Sequence, residues 1–180
     1  VFKYDKYTSN DIKNALTKLF KCHPILTGYI ENDSDNNPYL KIGHTPMIEV
    51  TKDLKKNDIN SYIAKPFNIH KSLSHFLIDK NSKTLYAVFH HIIFDALSRA
   101  VFRNRLLAIL NKKEVEPDLA FLKASAFSQE IKKTNLYQEA EIFYEKEFVD
   151  SEKVVEPLPD IGEHQPSYTS LKLKIDKKRI

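Results

Sequence analysis

Tryptophan is missing from these 180 residues, and cysteine, methionine and glycine number only one, one and three. Each shortage closes a route. The single thiol, Cys22, makes no internal disulfide, and no signal-peptide pattern occupies residues 1–9, so a reducing, cytoplasmic setting is expected. Gly28, Gly43 and Gly162 stand isolated, so no glycine-rich loop cradles a phosphate. Apolar runs fall far short of the ~18 residues a membrane span needs. Arginine is scarce as well: 24 of the 28 basic residues are lysine, and the exceptions are Arg99, Arg103, Arg105 and Arg179. Phosphate readers combine a basic stripe with arginine forks. Here the lysines are interspersed with 24 acidic residues for a net charge of +4, the pattern of a solvated surface, and nucleic-acid binding is disfavoured.

What is present suits a globular chain. The hydrophobic fraction is 42%, and one domain of this length buries roughly 70% of its unfolded surface. Ser9 reads as an N-cap, with Ile12, Leu16, Leu19 and Phe20 at helical spacing behind it, which predicts a helix over 10–22 closed by His23-Pro24. Strand character follows at 25–30, 39–42 and 48–51, with a polar loop at 32–38 and a short helix at 58–64. Leu73–Ile78 and Thr84–His91 flank a five-residue turn-rich segment and predict a hairpin, whose period of two sends His90 and His91 to opposite faces. Asp95 stands where a cap would precede a helix over 96–110. Helices at about 119–132 and 135–149 carry Leu122, Ala126 and Phe127, then Leu136, Ala140, Phe143 and Tyr144, as expected buried faces, with Asn135 and Gln138 spaced like a capping box. A proline-rich connector, 156–166, leads to an alternating strand through Thr169, Leu171, Leu173 and Ile175. A chain that starts at Val1 and stops just after such a strand is expected to be an excised piece of something longer.

The feature above background is His90-His91-Ile92-Ile93-Phe94-Asp95. A neutral imidazole accepts protons near neutrality, and a carboxylate close by can fix a loop or a ring. The same spacing equally fits two ordinary histidines. Metal binding by His90, His91 and Asp95 is weakened by the opposed faces, because zinc wants three or four convergent ligands and nothing in the spacing recruits His70 or His75. Cys22-His23 makes a poor nucleophile–base pair, since neighbours at a helix end point apart and a lone buried cysteine is usually packing.

Phe89 to Ser98 resembles the HHxxxDG signature of nonribosomal peptide synthetase condensation domains, within the chloramphenicol-acetyltransferase-like superfamily. Cys22-His23-Pro24-Ile25-Leu26-Thr27 falls where that family has RHxxLRT, Pro66-Phe67 to Leu73 resembles the stretch before the signature hairpin, and Glu141–Phe148 its aromatic-rich helix with Pro157-Leu158-Pro159 as the following linker. The resemblance covers nearly the whole chain. It implies an α+β fold, a mixed β-sheet with packed helices, with residues 1–180 forming most of the N-terminal lobe of a two-lobed domain and the C-terminal lobe absent. The implied activity is amide-bond formation between aminoacyl or peptidyl thioesters carried on phosphopantetheine arms, with no directly bound cofactor and no metal. On that pattern His91 is catalytic, His90 supports it, and Asp95 is structural and paired with an arginine. Implied partners are carrier domains, an adenylation domain and the second lobe. The sequence departs from the pattern at Cys22 and Thr27, which replace both arginines, at Ala96, which replaces the final glycine, and at the bulky Phe94. Those departures keep a non-catalytic carrier-binding module in view beside the enzyme, and the superfamily also includes coenzyme A-dependent acyltransferases. The isolated piece is expected to be inactive and to self-associate through an exposed apolar face.

Overall fold

Thr8, not Ser9, begins the first helix. Its hydroxyl accepts a hydrogen bond from Asp11 N at 3.1 Å while the Asp11 carboxylate accepts from Thr8 N at 2.8 Å, a reciprocal cap that Ser9 could not make because no acid lies three residues beyond it. Helix α1 then runs Ser9–Cys22. The computed structural model describes residues 1–52 and 54–148, so the expected proline-rich connector and final strand lie outside the described residues. The chain divides at Glu130 into two units; α5 belongs to the second and the elements up to α4 to the first.

After α1, a 3-10 turn at Pro24–Thr27 replaces the start of the strand expected at 25–30, because Pro24 presets a helical φ there. The elements that follow are β2 (Gly28–Asn32), β3 (Pro38–Ile42), β4 (Ile48–Thr51), α2 (Lys56–Ile63), β5 (Ser74–Asp79), β6 (Thr84–Phe89), α3 (Ala96–Leu110), α4 (Ala120–Ile131) and α5 (Asn135–Glu147), while Phe2–Lys3 forms a short β1. One sheet has the order β1-β6-β5-β4, with β4 parallel to β5 and the other pairs antiparallel; β2 and β3 form a separate hairpin. This is the mixed α+β arrangement the resemblance implies.

The core lies on one face of the sheet. Period two puts Phe76 and Ile78 of β5 beside Ala87 and Leu85 of β6, and these pack with the α1 stripe Ile12, Leu16, Leu19 and Phe20 and with Leu106 of α3. Phe76 is fully buried, its ring centroid 5.2 Å from Phe20, 5.6 Å from Phe89 and 6.3 Å from Phe102. The opposite face of β5 presents His75, whose ring meets Tyr62 of α2 at 5.0 Å and Phe67 at 4.8 Å. A smaller core of Ile30, Leu73 and Ile93 ties the β2–β3 hairpin to the segment after β6. Gly28 permits the 3-10 turn and β3 to pack closely around the start of β2: a Cβ there would lie 3.0 Å from Ile25 O and 3.2 Å from Leu40 Cδ1.

The apolar faces expected to be buried on α4 and α5 are not. Leu122 and Phe127 of α4, and Leu136, Phe143 and Tyr144 of α5, are all exposed. The helical periodicity is present, but no described layer covers it, and period alone does not supply a partner. The cap of α5 also shifts by one residue, since Thr134 Oγ1 accepts from Tyr137 N at 3.3 Å.

Candidate active site

Strand β6 ends at Phe89, two residues short of the expected end, so the alternation argument does not reach the two histidines. His90 N still donates to Leu73 O at 2.8 Å, and then Ile93 N donates to His90 O at 3.1 Å, closing a tight turn over 90–93. The His90 ring stabilises this turn itself. Its Nδ1 lies 3.2 Å from Ile92 N, and because an amide N–H only donates, Nδ1 is the acceptor and a neutral ring carries its proton on Nε2. The outer edge of that half-buried ring meets Phe67 at 5.5 Å. His91 and Ile92 form the exposed tip, and among the described residues no hydrogen bond, ion pair or ring contact holds the His91 side chain.

Beyond the tip the chain is anchored again. Ile93 is buried in the smaller core, and Phe94 stacks on Phe89 with centroids 3.8 Å apart and planes 5° from parallel. Asp95 then caps α3: its Oδ1 accepts from Ser98 N and from Ser98 Oγ, both at 2.7 Å. Among the described residues no arginine pairs with it, and Thr27, which stands where the resembled pattern has an arginine, donates instead to Pro24 O at 2.6 Å. Ala96 is the first helical residue and is exposed, with no positive φ, so glycine's conformational freedom is not called upon at this position. The bonds from Ser98 hold the Asp95 carboxyl below its ordinary pKa. The part of the cap that needs the negative charge is therefore complete above the unfolded carboxyl value of about 3.9 and is lost as pH falls through the lower folded value. Asp95→Ala should lower the thermal midpoint more at pH 7 than in strong acid, where the neutral carboxyl still offers an accepting oxygen, and Asp95→Asn, which keeps that oxygen, should lose less than Asp95→Ala at pH 7; paired melting curves at the two pH values check this.

A cavity of about 290 Å³ opens beside this turn, lined by Leu19, His23, Ile93, Asp95, Val101 and Asp118 among others. No local pattern links His23 to Asp118, because 94 residues lie between them and only the docking of the segment before α4 brings them together. Three contacts dock it: Asp118 N donates to Cys22 O at 2.7 Å, Cys22 Sγ donates to Val115 O at 3.3 Å, and His23 Nδ1 lies 3.8 Å from Asp118 Oδ2. Cys22 and His23 thus serve different neighbours, as expected of adjacent side chains at a helix end. Asp118 also holds the start of α4, its Oδ1 accepting from Ala120 N at 2.9 Å. Among the described residues no three His, Cys, Asp or Glu side chains converge as a metal site, and no helix is long and apolar enough to cross a membrane.

Burial holds the His23 imidazole below its ordinary pKa; Asp118 opposes that shift and Arg105 adds to it. Burial lowers His75 as well, reinforced by Lys65 and opposed by a hydrogen bond with the Tyr62 backbone and by Glu49. An unfolded chain takes up protons on both rings near pH ~6.5, before the folded chain does, so their neutral burial is fully stabilising above that value and is eroded as pH falls toward the folded values. The urea midpoint should therefore drop between pH 8 and pH 5.5. His23→Asn should reduce that drop, as paired titrations would show.

A mixed sheet carrying helices, with a braced histidine turn between β6 and α3, defines an α+β class of fold. Solved structures share it. The chain aligns with the condensation domain that mediates chain release from the enacyloxin polyketide synthase at a TM-score of 0.65, with 18% identity over 82% of this chain and 32% of that one. The first condensation domain of the calcium-dependent antibiotic synthetase, solved with a substrate analogue, gives 0.59 with 18% identity over 80% and 40%. The starter condensation domain of rhizomide synthetase gives 0.57 with 17% identity over 78% and 39%. These likenesses establish the chloramphenicol-acetyltransferase-like fold, and this chain spans only about a third of the first of those structures. Comparison with curated proteins finds no match. The family model described as Condensation domain matches residues 2–178, so the chain belongs to the condensation-domain family.

Proposed function

We propose that this chain is the N-terminal lobe of a condensation domain that joins carrier-tethered aminoacyl or peptidyl groups, and that His91 is its catalytic imidazole. The observation that carries the reading is the family match over residues 2–178 combined with an exposed His91 on a turn whose flanks are buried and stacked. In the reaction an acceptor amine attacks a thioester carbonyl, the new C–N bond forms as the C–S bond breaks, and the products are an amide and a free thiol. His91 would position the amine or take its proton while the departing thiolate is reprotonated. The substrates would arrive on phosphopantetheine arms of carrier domains, loaded by an adenylation domain, with the second lobe completing the channel.

A non-catalytic module that only binds carrier domains is the second reading. It is favoured by Asp95, which is occupied in capping α3 and has no arginine partner among the described residues. One experiment separates the two. His91→Ala is introduced into the full-length parent and amide formation is followed on loaded carriers beside the wild type; a collapse of product formation supports the enzyme with His91 central, an unchanged rate refutes the catalytic role of His91, and a wild-type parent that binds carriers but forms no amide leaves the binding module.

A further inference from the structure

We infer that Phe67 is a positioning residue: its ring locks the His90 side chain and, through it, fixes where the backbone presents His91. His91 has no side-chain contact among the described residues, so its imidazole goes wherever the peptide units on either side take it. Among those residues one side chain bonds across these units, that of His90, whose Nδ1 accepts from Ile92 N at 3.2 Å. The bond requires one His90 rotamer, and a single weak acceptor contact does not hold a half-buried side chain in one well. Phe67 supplies the stop. Its ring meets His90 at 5.5 Å and 78°, the edge-to-face arrangement that aromatic pairs favour.

Phe67 can act as a stop because it is itself wedged. Its other neighbour is His75, on the face of β5 away from the core, 4.8 Å distant and tilted by 42°, and His75 in turn meets Tyr62 of α2 at 5.0 Å and 87°. The His75 Nε2 is buried with no hydrogen-bond partner, and burial keeps that ring below its ordinary pKa, so Phe67 rests on a neutral aromatic surface. The chain leaving Phe67 is pinned as well. Asn68 O accepts from Lys71 N at 2.9 Å and from Ser72 N at 3.0 Å, and Ile69 O accepts from Ile30 N at 2.8 Å, which ties the segment to β2. Tyr62, His75, Phe67 and His90 thus form one row of rings running from α2 to the turn, and the row ends one residue short of His91. An imidazole displaced by about 1 Å can lose about 10²-fold in rate. The bearing on catalysis rests on the function proposed above; the bracing of the turn does not.

Two measurements test it. In the 180-residue chain, NMR couplings should show one χ1 rotamer for His90; Phe67→Ala should average it and speed exchange of the Ile92 amide at least about threefold, while the amides of β5 keep their protection. In the full-length parent, Phe67→Ala should lower kcat about tenfold with the acceptor KM within about twofold, and Phe67→Tyr, which keeps the ring, should restore most of the rate. The same Phe67→Ala change in a His91→Ala parent should cost no further rate, because its effect passes through an imidazole already removed. An equal loss in both backgrounds would mark Phe67 as a residue that only maintains the fold and would overturn the inference. An unchanged His90 rotamer and Ile92 exchange in the folded variant would overturn it too. Should Phe67→Ala fail to fold by circular dichroism, Phe67→Leu carries the same comparisons. If the wild-type parent forms no amide, or His91→Ala leaves its rate unchanged, the catalytic reading fails by itself, and the NMR measurement alone decides whether Phe67 braces the turn.

Discussion

Phe76→Ala is expected to lower the unfolding free energy by about 3–5 kcal/mol. The ring sits fully buried in the middle of β5, among Phe20 of α1, Phe89 of β6 and Phe102 of α3, so one truncation removes contacts to three elements at once. The surrounding rings are themselves fixed, Phe89 by its stack on Phe94, and cannot collapse fully into the space. That places the cost toward the upper part of the range seen for aromatic truncations. Urea denaturation checks it: the midpoint should fall with little change in slope. Phe76→Leu, which keeps most of the volume, should lose less than half as much, and a loss under about 1 kcal/mol for Phe76→Ala would mean the cluster is not the core it is described as.

His91→Ala in the full-length parent is expected to reduce amide formation by about 10²-fold, the usual scale for loss of one acid–base or positioning group. Because His91 is exposed and unattached, the same substitution should move the unfolding free energy of the 180-residue chain by no more than about 0.5 kcal/mol. His90 should behave in the opposite way. Its ring accepts from Ile92 N and rests on Phe67, so His90→Ala removes part of the scaffold, and its effect on rate should follow a measurable loss of stability. Rapid-quench assays on loaded carriers, run beside denaturation curves of both variants, separate the two roles.

The contrast between these neighbours shows what sequence could and could not convey. Short-range chemistry was legible: Asp95 does cap α3, β4 occupies 48–51, and the β5–β6 hairpin forms, because a cap, a strand and a turn each depend on residues within a few positions. Where two local signals competed, the boundary slipped, as between Thr8 and Ser9, or where β6 stops before His90. Burial was legible only for elements with a partner. The α1 stripe meets the sheet as expected, whereas Leu122, Phe127 and Phe143 keep the same periodicity and stay exposed. The His23–Asp118 contact was invisible for a third reason, since no pattern links residues so far apart until the segment ahead of α4 folds back onto the end of α1.

The parallel rings of Phe89 and Phe94 lie immediately before and after the residues that carry the two histidines. They work as a clasp at the neck of a small loop. A clasped loop has little backbone freedom left to surrender when a substrate docks, so the ordering cost usually met during binding is met during folding instead. The bulk of Phe94 then acquires a purpose: a small side chain at this position would leave the neck open and let the His91 backbone swing. In Phe94→Ala, relaxation measurements would show the order parameters of His91 and Ile92 falling together while those of β5 stay high.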